Sequence, residues 1–263
     1  MDFQRLFLFL IFSVSLFLLW DGWQRTQQPA PIAPTTAPQN QGVPSPTINA
    51  VAPEATVVAV QQKNLSGQKI TVKTDYLIAE IDTAGGNLGH LQFLQQRDGK
   101  DSSKPFVLFQ AEGEHIYAAQ TGLLGAGLPN HNAMFSTEAT EYLLKEGAQT
   151  LEVRLQAVET EGTKVTKIYR FHRASYLIDV GYEIENLGSA TLAPSAYYQL
   201  VRDKTPPEGD SMLVPTYTGP AVYTEQEKFQ KVDFADIEKG KAKFTQRADN
   251  GWVGMLQHYF VSA

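Results

Sequence analysis

The pattern of apolar and polar positions changes character twice along the chain. Residues 6–20 read LFLFLIFSVSLFLLW, fifteen positions without a charge. Counted from Phe3 to Trp23, the stretch is 21 residues, or about 31 Å as an α-helix at ~1.5 Å per residue. A bilayer's hydrocarbon core is about 30 Å thick. Trp20 and Trp23 close the run, where amphipathic rings suit the headgroup boundary. A cleaved signal peptide is the alternative, and the length of the apolar run allows it. Yet the run ends in bulky Trp20-Asp21-Gly22-Trp23 rather than a small-x-small site. Residues 1–25 are therefore read as an uncleaved transmembrane anchor with Trp20 and Trp23 at the membrane interface. Arg5 flanks one side and Arg25 the other, so charge alone hardly orients the span.

The apolar signal then disappears. No Asp, Glu, Lys or Arg occurs from Thr26 through Pro53, and seven of the fourteen prolines fall between Pro29 and Pro53. Proline fixes φ and removes donors, and few large apolar groups are present to drive collapse. Residues 26–57 are predicted to be a disordered linker with polyproline-II bias, which holds the next domain away from the membrane.

From about residue 58 the pattern has period two. In 151–157, Leu151, Val153, Leu155 and Ala157 share one face, and Glu152, Arg154 and Gln156 the other. In 176–184, Tyr176, Ile178, Val180, Tyr182 and Ile184 alternate with Leu177, Asp179, Gly181 and Glu183. In 76–83, Leu77, Ala79 and Ile81 alternate with Ile78, Glu80 and Asp82. Residues 69–74, 105–109, 163–172 and 195–203 add strands. Gly85-Gly86, Asp98-Gly99, Glu161-Gly162, Asn186-Leu187-Gly188 and Pro206-Pro207 supply turn signals between them. Short strands at this spacing, without a long amphipathic helix, predict a mainly β domain over 58–263, an antiparallel sandwich of two sheets.

Composition sharpens this picture. The 263 residues are 43% hydrophobic and 11% aromatic, enough for a packed core. The absence of cysteine removes disulfides, thiolate catalysis and Cys-based metal sites. Arg5 and Arg25 balance Asp2 and Asp21, so the net charge of -6 belongs to the rest of the chain. With a pI of about 5.4 and no basic block, no nucleic-acid partner is expected.

Candidate chemistry is sparse. His90, His115, His131, His172 and His258 include no pair at i, i+2 or i, i+4, so no local metal pair exists. No phosphate-cradling G-x-x-x-x-G-K-[ST] loop and no G-x-S-x-G elbow occurs. Gly85-Gly86 is explained by a tight turn. Glu80, Asp82, Glu183 and Glu185 could pair as acid and base, but alternation puts them on solvent faces. No catalytic residue, metal or cofactor is assigned.

Several ordered pieces resemble the YidC family of membrane protein insertases from Gram-negative bacteria. MDFQRLFLFLIFSVSLFLLWDGWQ is similar to that family's first transmembrane helix, and a Pro/Gln/Thr-rich tether follows it. VKTDYLIAEIDTAGGNL (72–88) and YRFHRASYLIDVGYEIEN (169–186) resemble strands of its periplasmic domain. GPAVYTEQEKFQKVDFADI (219–237) resembles its Gly-Pro-x-x-Tyr stretch, and NGWVGMLQHYF (250–260) is the most specific piece.

The resemblance implies a large antiparallel β-supersandwich, galactose-mutarotase-like in shape, in the periplasm. It implies an inner-membrane anchor with a cytoplasmic N-terminus. The family's insertase groove lies in five later transmembrane helices, beyond Ala263, so residues 250–263 are expected to lead toward a membrane domain absent from this chain. The implied function is insertion and folding of membrane proteins, with the lipid bilayer, nascent membrane proteins and the Sec translocon as partners. Trp252, Met255, Leu256 and Tyr259 fall at i, i+3, i+4 and i+7, which predicts an apolar helical stripe. That stripe packs on the sandwich or contacts the membrane-embedded half or the Sec machinery. The alternative function is a membrane-tethered carbohydrate-binding or mutarotase-like protein, which needs an acid and a base meeting across one cleft.

Overall fold

The computed structural model describes residues 67–99, 101–113, 115–160, 162–205, 207, 216–257 and 259–263. The expected anchor with Trp20 and Trp23, and the expected linker 26–57, lie outside the described residues. Among the described residues, fifteen strands and one short helix follow in chain order. They are β1 (Lys69–Lys73), β2 (Leu77–Asp82), β3 (Asn87–Arg97), β4 (Pro105–Gln110) and β5 (Tyr117–Leu124). Next come β6 (Phe135–Thr137), β7 (Glu141–Leu143), β8 (Thr150–Ala157), β9 (Thr163–His172), β10 (Ile178–Asn186) and β11 (Ser195–Arg202). The chain continues through β12 (Thr218–Thr224), β13 (Lys228–Lys231), α1 (Phe234–Glu238), β14 (Trp252–Gln257) and β15 (Phe260–Ser262). Among the described residues no helix is long and apolar enough to cross a membrane.

Three sheets result. A seven-stranded sheet has the order β11-β5-β4-β3-β2-β1-β7, a second the order β10-β9-β8-β6, and a third the order β13-β12-β14-β15. Neighbours are antiparallel except β1 and β7, which run parallel. The first two sheets close on one core, as the alternation requires. Ile70 and Val72 of β1 and Leu77, Ala79 and Ile81 of β2 are fully buried. They belong to one cluster with Val153 and Leu155 of β8 and Tyr169 and Phe171 of β9. Each buried Val, Leu, Ile or Phe side chain among them contributes about 1.5–3 kcal/mol by leaving water.

Two elements depart from the sequence reading. The strand expected from Tyr176 begins at Ile178 instead. Ala174 is left-handed at φ 51°, and the Leu177 N–H donates to Ser175 Oγ at 3.1 Å, so a turn occupies the start. The Tyr176 ring instead lies 4.7 Å from Phe93 and 5.1 Å from Tyr76. The helical stripe expected over 252–259 is also overturned, because Trp252–Gln257 is strand β14. Its pairing along β12 on one side and β15 on the other fixes extended backbone, so Trp252 and Met255 point to opposite faces.

The β2–β3 connection positions much of the interior. Gly85 and Gly86 are both left-handed, at φ 82° and 56°. A Cβ on Gly85 would sit 1.9 Å from the His131 carbonyl oxygen. Gly85→Ala is expected to cost at least about 2 kcal/mol, adding a steric clash to an unfavourable backbone. Gly147→Ala has a similar φ of 77° but open space around it, and is expected to cost about 1 kcal/mol. Urea denaturation of the two variants checks the order.

Candidate functional site

His90 is the cross-strand partner of Glu80 on β3 and β2, and the other described histidines are scattered over the domain. His131 is buried, and its Nδ1 hydrogen-bonds the Tyr197 hydroxyl at 2.5 Å. Burial lowers its pKa, and the nearby Lys167 charge lowers it further. His172 meets Asp179 at 2.7 Å on the outer face of the second sheet. His115 lies 3.9 Å from Asp203, and His258 lies outside the described residues. Asp82 accepts the backbone N–H groups of Ala84 and Gly67 at 2.7 and 3.1 Å, which gives it a turn-forming role. Glu183 pairs with Arg154, and Glu80 lies 3.8 Å from Lys69. Among the described residues no group of three His, Asp or Glu side chains could hold a metal.

A depression of about 280 Å³ opens where several loops converge, lined by residues that include Thr160, Thr163, Asn186, Ser189 and Leu192. Among the described residues its lining carries no titratable side chain. An acid and a base across a cleft, which mutarotase-like chemistry needs, do not meet there.

The third sheet presents a different surface. Directly paired residues of neighbouring strands share a face. Tyr223 pairs with Phe229 on one side and Trp252 on the other, and Leu256 pairs with Val261. These five side chains line one face. The rings of Tyr223 and Trp252 stack at 5.7 Å and 8°, and Phe229 lies 6.1 Å from Trp252. Phe229, Trp252 and Val261 remain 43%, 39% and 57% exposed. Tyr223 and Leu256 are half-buried.

The opposite face holds the sheet to the sandwich. Met255 is only 5% exposed and joins the core cluster. Phe260 stacks on Phe106 at 3.8 Å and 12°. The Tyr117 and Ser262 hydroxyls are hydrogen-bonded, and Arg202 donates to Gln257 Oε1. The Arg202 guanidinium lies 4.8 Å from the Tyr117 ring. Burial pushes the Tyr117 hydroxyl pKa up and the Arg202 pKa down.

Sequence reasoning singled out Trp252, Met255, Leu256 and Tyr259 as one stripe. The structure divides them. Trp252 and Leu256 share the outer face, Met255 enters the core, and Tyr259 sits in the β14–β15 turn at 83% exposure. Phe229 and Tyr223 were missed. The only sequence signal for them is period two within 219–231, and strand pairing was needed to set them beside Trp252.

Fold and surface together define a β-sandwich domain with a third, aromatic-faced sheet. The model of the YidC periplasmic domain matches residues 69–263, and the chain belongs to that family. Over its whole length it is 46% identical to the membrane protein insertase YidC of Nitrosospira multiformis, of which it covers 50%. It is 48% identical to the membrane protein insertase YidC of Aromatoleum aromaticum and 44% to that of Dechloromonas aromatica, covering 49% and 48% of them. The chain thus spans about half the length of the curated relatives it matches.

The two faces of β14 predict opposite mutational behaviour. Met255→Ala opens space in the core and is expected to cost about 2–4 kcal/mol. Trp252→Ala removes a partly exposed ring and is expected to cost about 1 kcal/mol or less beyond its stacking. Chemical denaturation measures both.

Proposed function

We propose that the chain is the N-terminal part of a membrane protein insertase and chaperone. In this reading it works in the inner membrane, alone or with the Sec translocon. The observation that carries the reading is the full-length match, at 46% and 48% identity, to two proteins named membrane protein insertase, of which this chain is about half. Residues 1–25 then anchor the chain with the N-terminus cytoplasmic and Trp20 and Trp23 at the interface. Residues 26–57 are the tether, and 58–263 form the periplasmic domain, a β-supersandwich of galactose-mutarotase-like shape. Residues 250–263 lead toward the membrane-embedded part.

The role is not enzymatic. A charged group at the bilayer centre costs a few kcal/mol on insertion scales, so an insertase lowers that barrier with a wetted polar groove rather than by bond chemistry. In the family this groove belongs to later transmembrane helices, so nascent membrane proteins engage that part. The present chain contributes anchoring, spacing and contact. The aromatic face of Phe229, Tyr223, Trp252 and Leu256, with Tyr259 beside it, is the contact surface toward the membrane-embedded half or Sec components. Its exposed rings suit an interface, where aromatic residues concentrate.

Depletion of the cell's own insertase provides the test. Expression of this chain joined to the remaining half of its full-length protein is expected to restore membrane insertion of a reporter protein. The chain alone is expected not to restore it. Restoration by the chain alone, or failure of the joined protein when it is stably produced, would contradict the reading.

A further inference from the structure

Lys167 sits on the buried face of β9 and is 0% exposed. Its Nζ donates to the Gly85 carbonyl at 3.1 Å and the Thr121 carbonyl at 3.2 Å. Neither acceptor carries a charge. The salt bridges among the described residues lie at least partly in solvent, and none includes Lys167. The surrounding groups come from every neighbouring element. Tyr169 of the same strand, Phe135 of β6 and Tyr182 of β10 place their rings 5.4, 5.8 and 5.9 Å from Nζ. The Tyr182 hydroxyl is held by Thr121 Oγ1 at 2.6 Å. His131, bonded to Tyr197 of β11, is close enough to feel the Lys167 charge. The titratable groups around the amine are therefore tyrosines and one histidine. A buried ammonium without a carboxylate pays a desolvation cost that two neutral carbonyls and ring faces offset only in part.

We propose that Lys167 is a proton-operated latch between the two main sheets. It ties β9 to the Gly85-Gly86 turn and to β5. Without its proton the amine keeps the sheets closed at little electrostatic cost. With its proton on, the unpaired charge biases the domain toward opening along this seam.

The direction of the pH dependence follows. Burial lowers the Lys167 pKa from 10.5 to about 7. Between those values the unfolded chain binds the proton and the folded chain does not, so stability rises with pH across the window. Below it, both states are protonated and the penalty is complete. The His131 pKa is also lowered, so acidification below its ordinary value of 6.5 weakens the fold again. These effects arise inside the domain and do not depend on the insertase reading.

Urea denaturation of the full chain in detergent, from pH 7 to 9.5, tests the latch below the ordinary tyrosine range. The folded-to-unfolded ratio of the wild type is expected to gain up to about tenfold per pH unit, the slope of one proton. Lys167→Met is expected to lack this gain. Lys167→Arg, always charged, is expected to lack it too and to have a lower midpoint throughout. Hydrogen exchange, corrected for intrinsic rates, is expected to show the β2–β3 turn and β5 gaining protection with pH in the wild type alone. A wild-type stability that stays flat from pH 7 to 9.5 overturns the proposal whether or not the variants fold. So does an undiminished slope in Lys167→Met.

Discussion

The domain depends on how β9 closes against the β2–β3 turn. The Tyr169 hydroxyl donates to the Gly86 carbonyl at 2.6 Å, and Lys167 reaches the Gly85 carbonyl beside it. Both donors lie inside the sandwich, where each unsatisfied carbonyl would cost about 1–3 kcal/mol. The left-handed glycines allow this approach: a Cβ on Gly86 would meet Leu155 and Lys167 at 3.1 Å. Around this seam the ordinary alternation of β1, β2, β8 and β9 supplies the apolar burial. The polar seam decides which turn meets which strand, and the apolar faces supply most of the free energy.

The third sheet is built on that frame. Met255 and Phe260 insert from it, and the Tyr117–Ser262 and Arg202–Gln257 hydrogen bonds fasten it to β5 and β11. Met255 and Phe260 commit their end of the sheet inward, while Phe229, Trp252 and Val261 on the other face stay exposed. Phe229, Tyr223 and Trp252 therefore form a surface through strand register, without any long loop to carry them. A row of rings on a sheet has little conformational freedom to lose on association, which suits a contact surface.

Much of the frame was legible in the residues. The alternation of Leu77, Ala79 and Ile81, and of Val153 and Leu155, named buried faces that the structure fills. β3 was harder to read. Its pairing with β2 shifts between Glu80 and Ile81, and its pairing with β4 shifts at two places, so a single period does not run through it. Lys167 fell on the inward register of TKVTKIYRFH, but its burial depends on acceptors from residues 46 and 82 positions away. At the candidate site, the spacing of Trp252, Met255, Leu256 and Tyr259 imitated a helix. Apolar residues on both faces of a strand can produce that spacing by accident. The ring row needed the partner strands, which no local pattern reports.

The central claim is that this domain serves an insertase through the outer face of its third sheet. Photocrosslinking in living cells tests it most directly. A photoactivatable residue replacing Phe229 would be carried by the full-length protein, with the same probe at exposed Glu185 of β10 as the control. The account predicts adducts from position 229 to the protein's own membrane-embedded part or to Sec components, and few from position 185. Equal labelling from both positions, or no labelling from 229, would contradict it.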